Sequence, residues 1–545
     1  DMEIEMESFS NLDWFILSVY FLVLIGIVMS VVRKEQESVA EYFLAGRNLG
    51  WFVIGASIFA SNIGSEHVVG LAGTAASSGM VMGHYELHSW IILLLGWVFV
   101  PFYMRSNVFT MPEFLEKRYS SESRWILSII SLIGYVLTKV SATVYAGAVV
   151  FQTLMGVEFW SGALMIVLLT GAYTIIGGLR AVIYTDALQA IVLILGSLTI
   201  SVMGLIKIGG WDSLVNNVGA DHFNMFLPAD HPEYPWIGMV FAPPIIGIWY
   251  WCTDQYIVQR VLAAKNQSEA LRGTIFGGYL KILPIFLFFI PGLIAYAMLN
   301  SGQLNYESSD QAFPTLVKEL LPSGMRGLVA GGLLAALMSS LSSVFNSCST
   351  LFTMDIYKKI RPNKTEKELI TVGRIATGVV VISGILWIPF MKIISGELYT
   401  YLQSVQAYIA PPIAAVFLMG IFWQRINSQG ALACLVIGFS VGMTRLILEI
   451  NKSSLTGFWY SLADLNFLYF AIYSFLFCVA LMIFVSLLTK PQSPQEIEGL
   501  TYGTTKNIQR QEISIKNYNN EFVHSAVIIT ILILILVYFS PIGIG

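Results

Sequence analysis

The feature that most constrains this chain is a polar interruption inside an apolar segment that runs from Trp51 to Gly73. The segment is long enough to cross a bilayer, yet residues 60–67 read Ala-Ser-Asn-Ile-Gly-Ser-Glu-His. Backbone groups that face lipid must be paired, so such an interruption is tolerated only where it lines a cavity within the protein. Broken helices of this kind are typical of secondary transporters, in which freed carbonyls bind a cation. A kinked helix that packs on its neighbours through small residues is the alternative.

The composition indicates a polytopic membrane protein. Of the 545 residues, 56% are hydrophobic and only 12% are charged, whereas soluble domains are about 45–50% apolar and about 25% charged. At about 20 residues for each crossing, the apolar segments predict fourteen transmembrane helices. They lie near 14–32, 51–73, 84–104, 124–154, 160–177, 182–206, 236–261, 271–299, 327–355, 370–391, 396–422, 430–448, 462–489 and 523–543.

The basic residues predict how these helices are oriented. Twenty-two of the 30 Lys and Arg residues fall on one side of the predicted membrane, six on the other and two within spans. Lysine and arginine are enriched in cytoplasmic loops, so the richer side is the cytoplasm. We therefore expect a multi-pass protein of the plasma membrane with both termini extracellular.

A second polar passage, Gly-Ile-Trp-Tyr-Trp-Cys-Thr-Asp-Gln at 247–255, interrupts the seventh predicted span. Interruptions at matching places in two halves are the best sequence pointer to a transport site. Spans two to six and seven to eleven then form two sets of five, and because five is odd the second set is inverted. The predicted order is an extracellular N-terminus, first helix and cytoplasmic link (1–50), a first five-helix repeat (51–206), an extracellular loop (207–235), a second, inverted repeat (236–422), two peripheral helices (423–489), a cytoplasmic linker (490–522) and a last helix (523–545).

Several polar residues lie within the predicted spans. An intramembrane carboxylate usually faces a cavity or a partner, but Glu86 is also consistent with an outer interface in contact with water, and Asp186 with a helix N-terminus. Lys139 is consistent with an ion pair or with a side chain that reaches towards water. In the ninth span, one helix face carries Ser339, Ser342, Ser343 and Asn346. Such a face either joins helices or supplies neutral oxygens to a sodium ion.

Six short motifs follow one another along residues 40–490. They are 42–47 (Tyr-Phe-Leu-Ala-Gly-Arg), 60–65 (Ala-Ser-Asn-Ile-Gly-Ser), 110–114 (Thr-Met-Pro-Glu-Phe), 183–186 (Ile-Tyr-Thr-Asp), 249–255 (Trp-Tyr-Trp-Cys-Thr-Asp-Gln) and 352–357 (Phe-Thr-Met-Asp-Ile-Tyr). In these motifs the chain resembles the sodium/solute symporter family, in the branch of the sodium–glucose and sodium–galactose cotransporters. The resemblance implies an all-α polytopic membrane protein with a five-plus-five inverted-repeat core of the LeuT type, one span before the core and three after it.

The resemblance also implies two sodium sites, with Na+ as the co-transported ion. The first would use the backbone of Ala60, Ile63 and Ala336 and the hydroxyls of Ser339 and Ser340. The second, found in part of the family, would use Asp186, Ser339, Ser342 and Ser343. All four residues of the second set are present, which implies that two sodium ions move with each substrate molecule.

A sugar site and its gates are implied in the same way. The sugar-binding set would be Asn62, His67, Glu86, Ser89, Trp251, Lys281 and Gln403. Tyr250 resembles the inner gate below the sugar, and Tyr85 and Tyr399 would lie on the outer side.

Two departures from the family pattern bear on the substrate. Gly247 stands where sugar transporters of this branch place Thr, Ser or Asn, and Leu87 follows Glu86 where the family usually has an aromatic residue. We predict a sodium-coupled secondary active symporter of a glucose- or galactose-like hexose that works by alternating access. The alternatives are a symporter of myo-inositol or another polar solute, and a sugar-gated cation channel or sensor. The sequence carries no nucleophile–base pair or phosphate loop of an enzyme, and the expected partners are a small sugar or polyol, sodium ions and lipid, without nucleic acid.

Overall fold

The computed structural model describes residues 9–32, 43–64, 66–394, 398–504 and 518–545. Tyr42 of the first motif, Ser65 of the first interruption and residues 505–517 of the predicted cytoplasmic linker lie outside the described residues. Within these ranges every element is helical apart from one isolated bridge between Leu49 and Ala264, which confirms the predicted all-α class.

The helices divide between the two halves of the chain, with short turns of wider or tighter helix between them. The first half of the chain forms α1 (Asn11–Val32), α2 (Trp51–Asn62), α3 (Ala72–Ser78), α4 (Ser89–Leu94), α5 (Val100–Ser106), α6 (Met111–Arg118), α7 (Ser121–Gly134), α8 (Ser141–Met155), α9 (Phe159–Ile208), α10 (Trp211–Val218) and α11 (Ala220–Phe223). The second half forms α12 (Trp236–Gly247), α13 (Gln255–Leu262), α14 (Gln267–Leu280), α15 (Ile290–Asn300), α16 (Ala312–Leu320), α17 (Met325–Leu351), α18 (Lys358–Ile360), α19 (Glu366–Ile394), α20 (Leu398–Phe422), α21 (Ser428–Ile450), α22 (Gly457–Asp464), α23 (Phe467–Leu488) and α24 (Asn519–Tyr538). Wider π-helical turns lie at Glu66–Leu71, Leu95–Phe99, Tyr135–Val140, Ile248–Thr253, Ile285–Phe289 and Phe352–Tyr357, and 3₁₀ turns at Ala45–Arg47, Gly79–Tyr85, Ser309–Gln311 and Lys452–Ser454.

The first predicted interruption is confirmed. Helix α2 ends at Asn62, and Ile63 leaves helical geometry with φ −83° and ψ 82°. The chain turns on Gly64, whose carbonyl accepts the backbone N–H of His67 at 3.1 Å. A π-helical turn then resumes at Glu66–Leu71. The last-turn carbonyls of α2 therefore lie inside the protein at a helix C-terminus, where the helix dipole favours a cation.

The second interruption is confirmed as well. Helix α12 continues through the π-helical turn Ile248–Thr253, and Asp254 is then extended, with φ −86° and ψ 128°. The Asp254 carboxylate accepts the backbone N–H of Tyr256 at 3.4 Å and so caps the start of α13. Both halves of the chain thus contain one span that breaks and restarts.

One predicted break does not occur. Two spans were expected at 160–177 and 182–206, but α9 runs without interruption over 50 residues from Phe159 to Ile208. The expected connection contains Gly177 and Gly178, which lower helix propensity but keep their backbone N–H groups, whereas a proline would remove one. As a consequence, Asp186 lies well inside α9, and the alternative that it caps a helix N-terminus is wrong.

Ten helices in the described part of the chain are long and apolar enough to cross a membrane, or eleven if the bent pair Ile194–Ile208 and Trp211–Val218 is one span. Trp51–Asn62 is a shorter apolar helix, and Phe159–Ala172 is a shorter apolar stretch at the start of α9. This pattern is that of a multi-pass membrane protein. The count of fourteen and the inverted relation of the two repeats stay predictions.

The centre of the bundle is α17, which packs against α9, α1, α19 and α2. Its apolar window in Met325–Ile360 is 94% buried, whereas those of α1 and α24 are 22% buried and therefore peripheral. Helix α14 lies directly against α2, because a Cβ atom at Gly55 would come within 2.8 Å of the Gly273 carbonyl oxygen. This close crossing brings the C-terminus of α14 next to the broken end of α2.

Candidate functional site

A cavity lies between the two broken spans. It is lined by six of the seven residues predicted to bind sugar, namely Asn62, His67, Glu86, Trp251, Lys281 and Gln403. The three predicted gate residues, Tyr85, Tyr250 and Tyr399, also line it. Ser89 does not: it is fully buried in the first turn of α4, and its hydroxyl has no hydrogen-bond partner among the described residues.

A charge-compensated polar network forms one wall of the cavity. The Lys281 ammonium, at the C-terminus of α14, donates to Oδ1 of Asn62 at 2.7 Å and to Oε2 of Glu86 at 2.5 Å. The other Glu86 oxygen lies 3.1 Å from Nε2 of His67. Glu86 is only 1% exposed, so the alternative of an interfacial acid in water is wrong. A buried lysine and a buried carboxylate are tolerated here because each is the partner of the other.

Aromatic rings also line the cavity. The Tyr250 hydroxyl accepts a hydrogen bond from Nδ2 of Asn62 at 3.2 Å. The Tyr250 ring packs edge to face against Trp251, with 4.9 Å between the ring centroids. The Lys281 ammonium lies 5.3 Å from the Trp251 ring centroid. Tyr85 and Tyr399 meet edge to face at 6.5 Å. The cavity thus joins hydrogen-bonding groups to flat apolar faces, a combination that suits a ligand with both hydroxyls and C–H surface.

Some buried polar atoms at this cavity have no hydrogen-bond partner among the described residues. They are Oε1 of Gln403, the hydroxyl of Tyr85 and Nε2 of His88. A buried polar group left unpaired costs about 1–3 kcal/mol. These atoms are therefore the groups to which a bound polar solute would donate or from which it would accept.

A second polar cluster surrounds Asp186 on α9. Its Oδ1 accepts the Ser339 hydroxyl of α17 at 2.6 Å, while Oδ2 accepts the hydroxyls of Ser57 at 2.8 Å and Ser61 at 3.1 Å. The Arg260 guanidinium lies 3.5 Å from Oδ2 and is completely buried. Three helices and the restarted span are thus joined through one carboxylate.

The predicted hydroxyl face of α17 points towards this cluster and towards the broken end of α2. The Ser340 hydroxyl donates to the Ser61 carbonyl at 3.0 Å. The hydroxyls of Ser342 and Ser343 donate to the Ser339 carbonyl at 2.9 and 2.7 Å. The remaining members of the first predicted sodium set, Ala60, Ile63 and Ala336, are buried at the end of α2 and on α17, one turn before Ser340. The structure therefore joins Ser339 to Asp186 and Ser340 to the end of α2, whereas the bond of the Ser342 hydroxyl is to the backbone of α17 itself.

Sequence reasoning missed several residues of these clusters. Arg260 is one of the 22 basic residues counted on the predicted cytoplasmic side, but it donates to the hydroxyls of Ser57 and Ser343 in the interior. Ser57 gave no signal, since a single serine in an apolar helix is common. His88 was given no role in the predicted site, yet it lines the cavity.

The open question about Lys139 is resolved by its contacts. Its ammonium forms an ion pair with Oδ2 of Asp254 at 2.7 Å and lies 3.8 Å from the Tyr256 ring centroid and 4.5 Å from that of Tyr250. Both charged groups are buried. This ion pair lies beside the ring of Tyr250, the predicted inner gate, and joins the turn Tyr135–Val140 to the start of α13.

The sequence profile of the family described as "Sodium:solute symporter family" matches residues 42–438. The chain belongs to this family. Its members are sodium-coupled transporters of small molecules, so the chain is a multi-pass membrane symporter and not an enzyme.

Named relatives agree with the family. The chain is 40% identical over 534 residues to the sodium/glucose cotransporter 1 of Oryctolagus cuniculus, with 89% of this chain and 81% of the relative covered. It is 38% identical over 552 residues to the human sodium/myo-inositol cotransporter, with 92% and 76% covered.

Solved structures support the fold. A Na+-coupled sialic acid symporter in a substrate-bound outward-open state matches with a TM-score of 0.76 at 22% identity, covering 89% of this chain and 99% of that one. MHP1, a nucleobase-cation-symport-1 family transporter, matches with a TM-score of 0.55 at 15% identity, covering 85% and 98%. The chain thus shares the overall helical fold of these transporters.

Proposed function

We propose that this symporter carries a glucose- or galactose-like hexose across the plasma membrane, driven by sodium and working by alternating access, with both termini outside the cell. The observation that carries the proposal is the Lys281–Glu86–Asn62 network at the wall of the cavity. It offers both donors and acceptors without net charge, which suits an uncharged polyol better than an anion or a cation. The aromatic faces of Tyr250 and Trp251 suit the C–H surface of a pyranose ring.

Coupling to sodium would follow from the shared broken helix. Asn62 lines the cavity, while the neighbouring Ser61 offers its carbonyl to Ser340 on α17. A sodium ion held by the end of α2 and the Ser339 and Ser340 hydroxyls would fix Asn62 in place. Because Asn62 donates to Tyr250 and accepts from Lys281, its position would set the shape of the sugar cavity.

A second sodium ion would bind on the Oδ1 side of Asp186. This oxygen faces Ser339, while Arg260 and the serines of α2 occupy Oδ2. Hydroxyl and carboxylate oxygens are suitable ligands for a hard cation. Keeping the guanidinium on the opposite oxygen limits its repulsion of the ion.

The second candidate is transport of myo-inositol or another neutral polyol. The observation that favours it is Gly247, which offers no side chain at a position where sugar transporters of the resembled branch have a hydrogen-bonding one. The 38% identity to a relative named as a sodium/myo-inositol cotransporter is consistent with this candidate.

The test is uptake into proteoliposomes that contain the purified protein. Labelled glucose, galactose, myo-inositol and sialic acid are each offered under an inward sodium gradient and under a choline gradient. The proposal predicts sodium-dependent uptake of a hexose. Preference for myo-inositol would support the second candidate, and uptake of sialic acid alone would contradict both. Sodium current without uptake of any solute would indicate a channel or sensor.

A further inference from the structure

One of the two histidines that line the cavity, His88, has no role in the proposed function. His88 precedes α4 and is 4% exposed, and its ring lines the cavity at 6.2 Å from the Tyr85 ring. Its Nε2 atom is buried and has no hydrogen-bond partner among the described residues. Burying an imidazole nitrogen costs free energy unless another group completes its hydrogen bond.

The same ring occupies the space next to Gly247. A Cβ atom built on Gly247 would lie 2.4 Å from Cδ1 of Ile91, the movable end of a flexible side chain, and 2.9 Å from both Nδ1 and Cε1 of the His88 ring, which is closer than real Cβ contacts allow. A serine or threonine at 247 and the observed His88 ring therefore exclude one another. A side chain at 247 and the imidazole at 88 would therefore compete for the same volume.

We propose that His88 is a specificity-determining residue, which hydrogen-bonds the substrate hydroxyl that faces Gly247. The inference rests on the proposed function and adds the class of group that is recognised there. The His88 ring occupies space that a side chain at 247 would fill, so a ligand hydroxyl that faces Gly247 would meet an imidazole there. Neutral imidazole can accept or donate, and a hydroxyl can pair with it in either sense.

The experiment measures inhibition of labelled-hexose uptake by monodeoxy analogues of the transported hexose, one for each hydroxyl. It uses the full-length protein in proteoliposomes, as wild type, His88→Ala and His88→Asn. For the wild type, one analogue should bind about tenfold more weakly than the parent sugar. In His88→Ala the parent sugar should bind about tenfold more weakly while the affinity of that analogue is unchanged, so the two ligands should bind equally well. His88→Asn, which keeps a hydrogen-bonding group, should restore part of the difference in affinity.

A second measurement covers the case in which His88→Ala does not fold. Gly247→Ser alone should abolish most uptake, because its side chain meets the imidazole. The pair Gly247→Ser and His88→Asn should recover uptake, because the smaller amide leaves room. Two results would overturn this inference and leave the proposed function standing. One is that a folded His88→Ala protein is inhibited by the deoxy analogues in the same way as the wild type. The other is that Gly247→Ser lowers uptake equally in the wild type and in His88→Asn. If the wild type transports neither a hexose nor a polyol, the proposed function and this inference fail together.

Discussion

Replacing Gln403 by alanine should weaken sugar transport by about tenfold while the protein stays folded. Gln403 lines the cavity from α20, is 7% exposed, and has an Oε1 atom without a partner among the described residues. Removing that atom deprives no described protein donor of its acceptor, so stability should change little. The loss appears only when a sugar hydroxyl reaches the site and finds no acceptor.

The magnitude follows from that unpaired hydroxyl. A polar group stripped of water and left without a partner costs about 1–3 kcal/mol. At about 1.4 kcal/mol for each factor of ten, this corresponds to a rise in KM of about 5-fold to about 140-fold. The assay is sodium-driven hexose uptake, with thermal unfolding measured on the same preparations.

Two further variants make the result interpretable. Glu86→Ala should lose both transport and stability, because the ammonium of Lys281 stays buried without its carboxylate, at a cost of about 3–5 kcal/mol. Ser440→Ala is the matched control, since that hydroxyl is exposed on α21 and donates to Val436 of its own helix. A KM for Gln403→Ala equal to that of the Ser440→Ala control would refute the reasoning.

Three other variants test the ion sites and the inner ion pair. Ser340→Ala should raise the sodium concentration for half-maximal uptake several-fold, because its hydroxyl joins α17 to the Ser61 carbonyl; an unchanged sodium titration would contradict the first site. Asp186→Asn should lower the measured sodium-to-sugar flux ratio from two to one, and a wild-type ratio of one would sink the two-ion prediction. Lys139→Gln should destabilise the protein by about 3–5 kcal/mol, since it leaves Asp254 buried and unpaired, and adding Asp254→Asn should recover most of the loss of thermal stability.

The broken spans were predictable because local chemistry alone produces them. Small polar residues and glycine in the middle of an apolar segment leave backbone groups that lipid cannot satisfy. The helix therefore stops at Asn62 and again before Asp254, as the sequence predicted. The hydroxyl face of α17 was predictable for a similar reason, since the spacing of its serines fixes one side of any helix.

The partners across the bundle were not predictable from spacing. Arg260 resembles a cytoplasmic charge in sequence, and only the fold turns it inward onto Asp186. The π-helical turns leave no sequence pattern, because one extra residue in a helix changes no residue type. The pairing of His88 with Gly247 also depends on two distant spans meeting. Such contacts belong to tertiary packing, which neither composition nor periodicity specifies.

The central claim, that sodium and sugar cross together, is tested most directly by sugar accumulation in proteoliposomes under a membrane potential and a sodium gradient. Each sodium ion that crosses about 100 mV contributes about 2.3 kcal/mol, so two contribute about 4.6 kcal/mol from voltage alone. This supports accumulation on the order of a thousandfold. The account predicts that labelled hexose rises far above its external concentration and escapes when the sodium gradient and the potential are collapsed. Sodium flux that leaves the internal hexose concentration equal to the external one would contradict it.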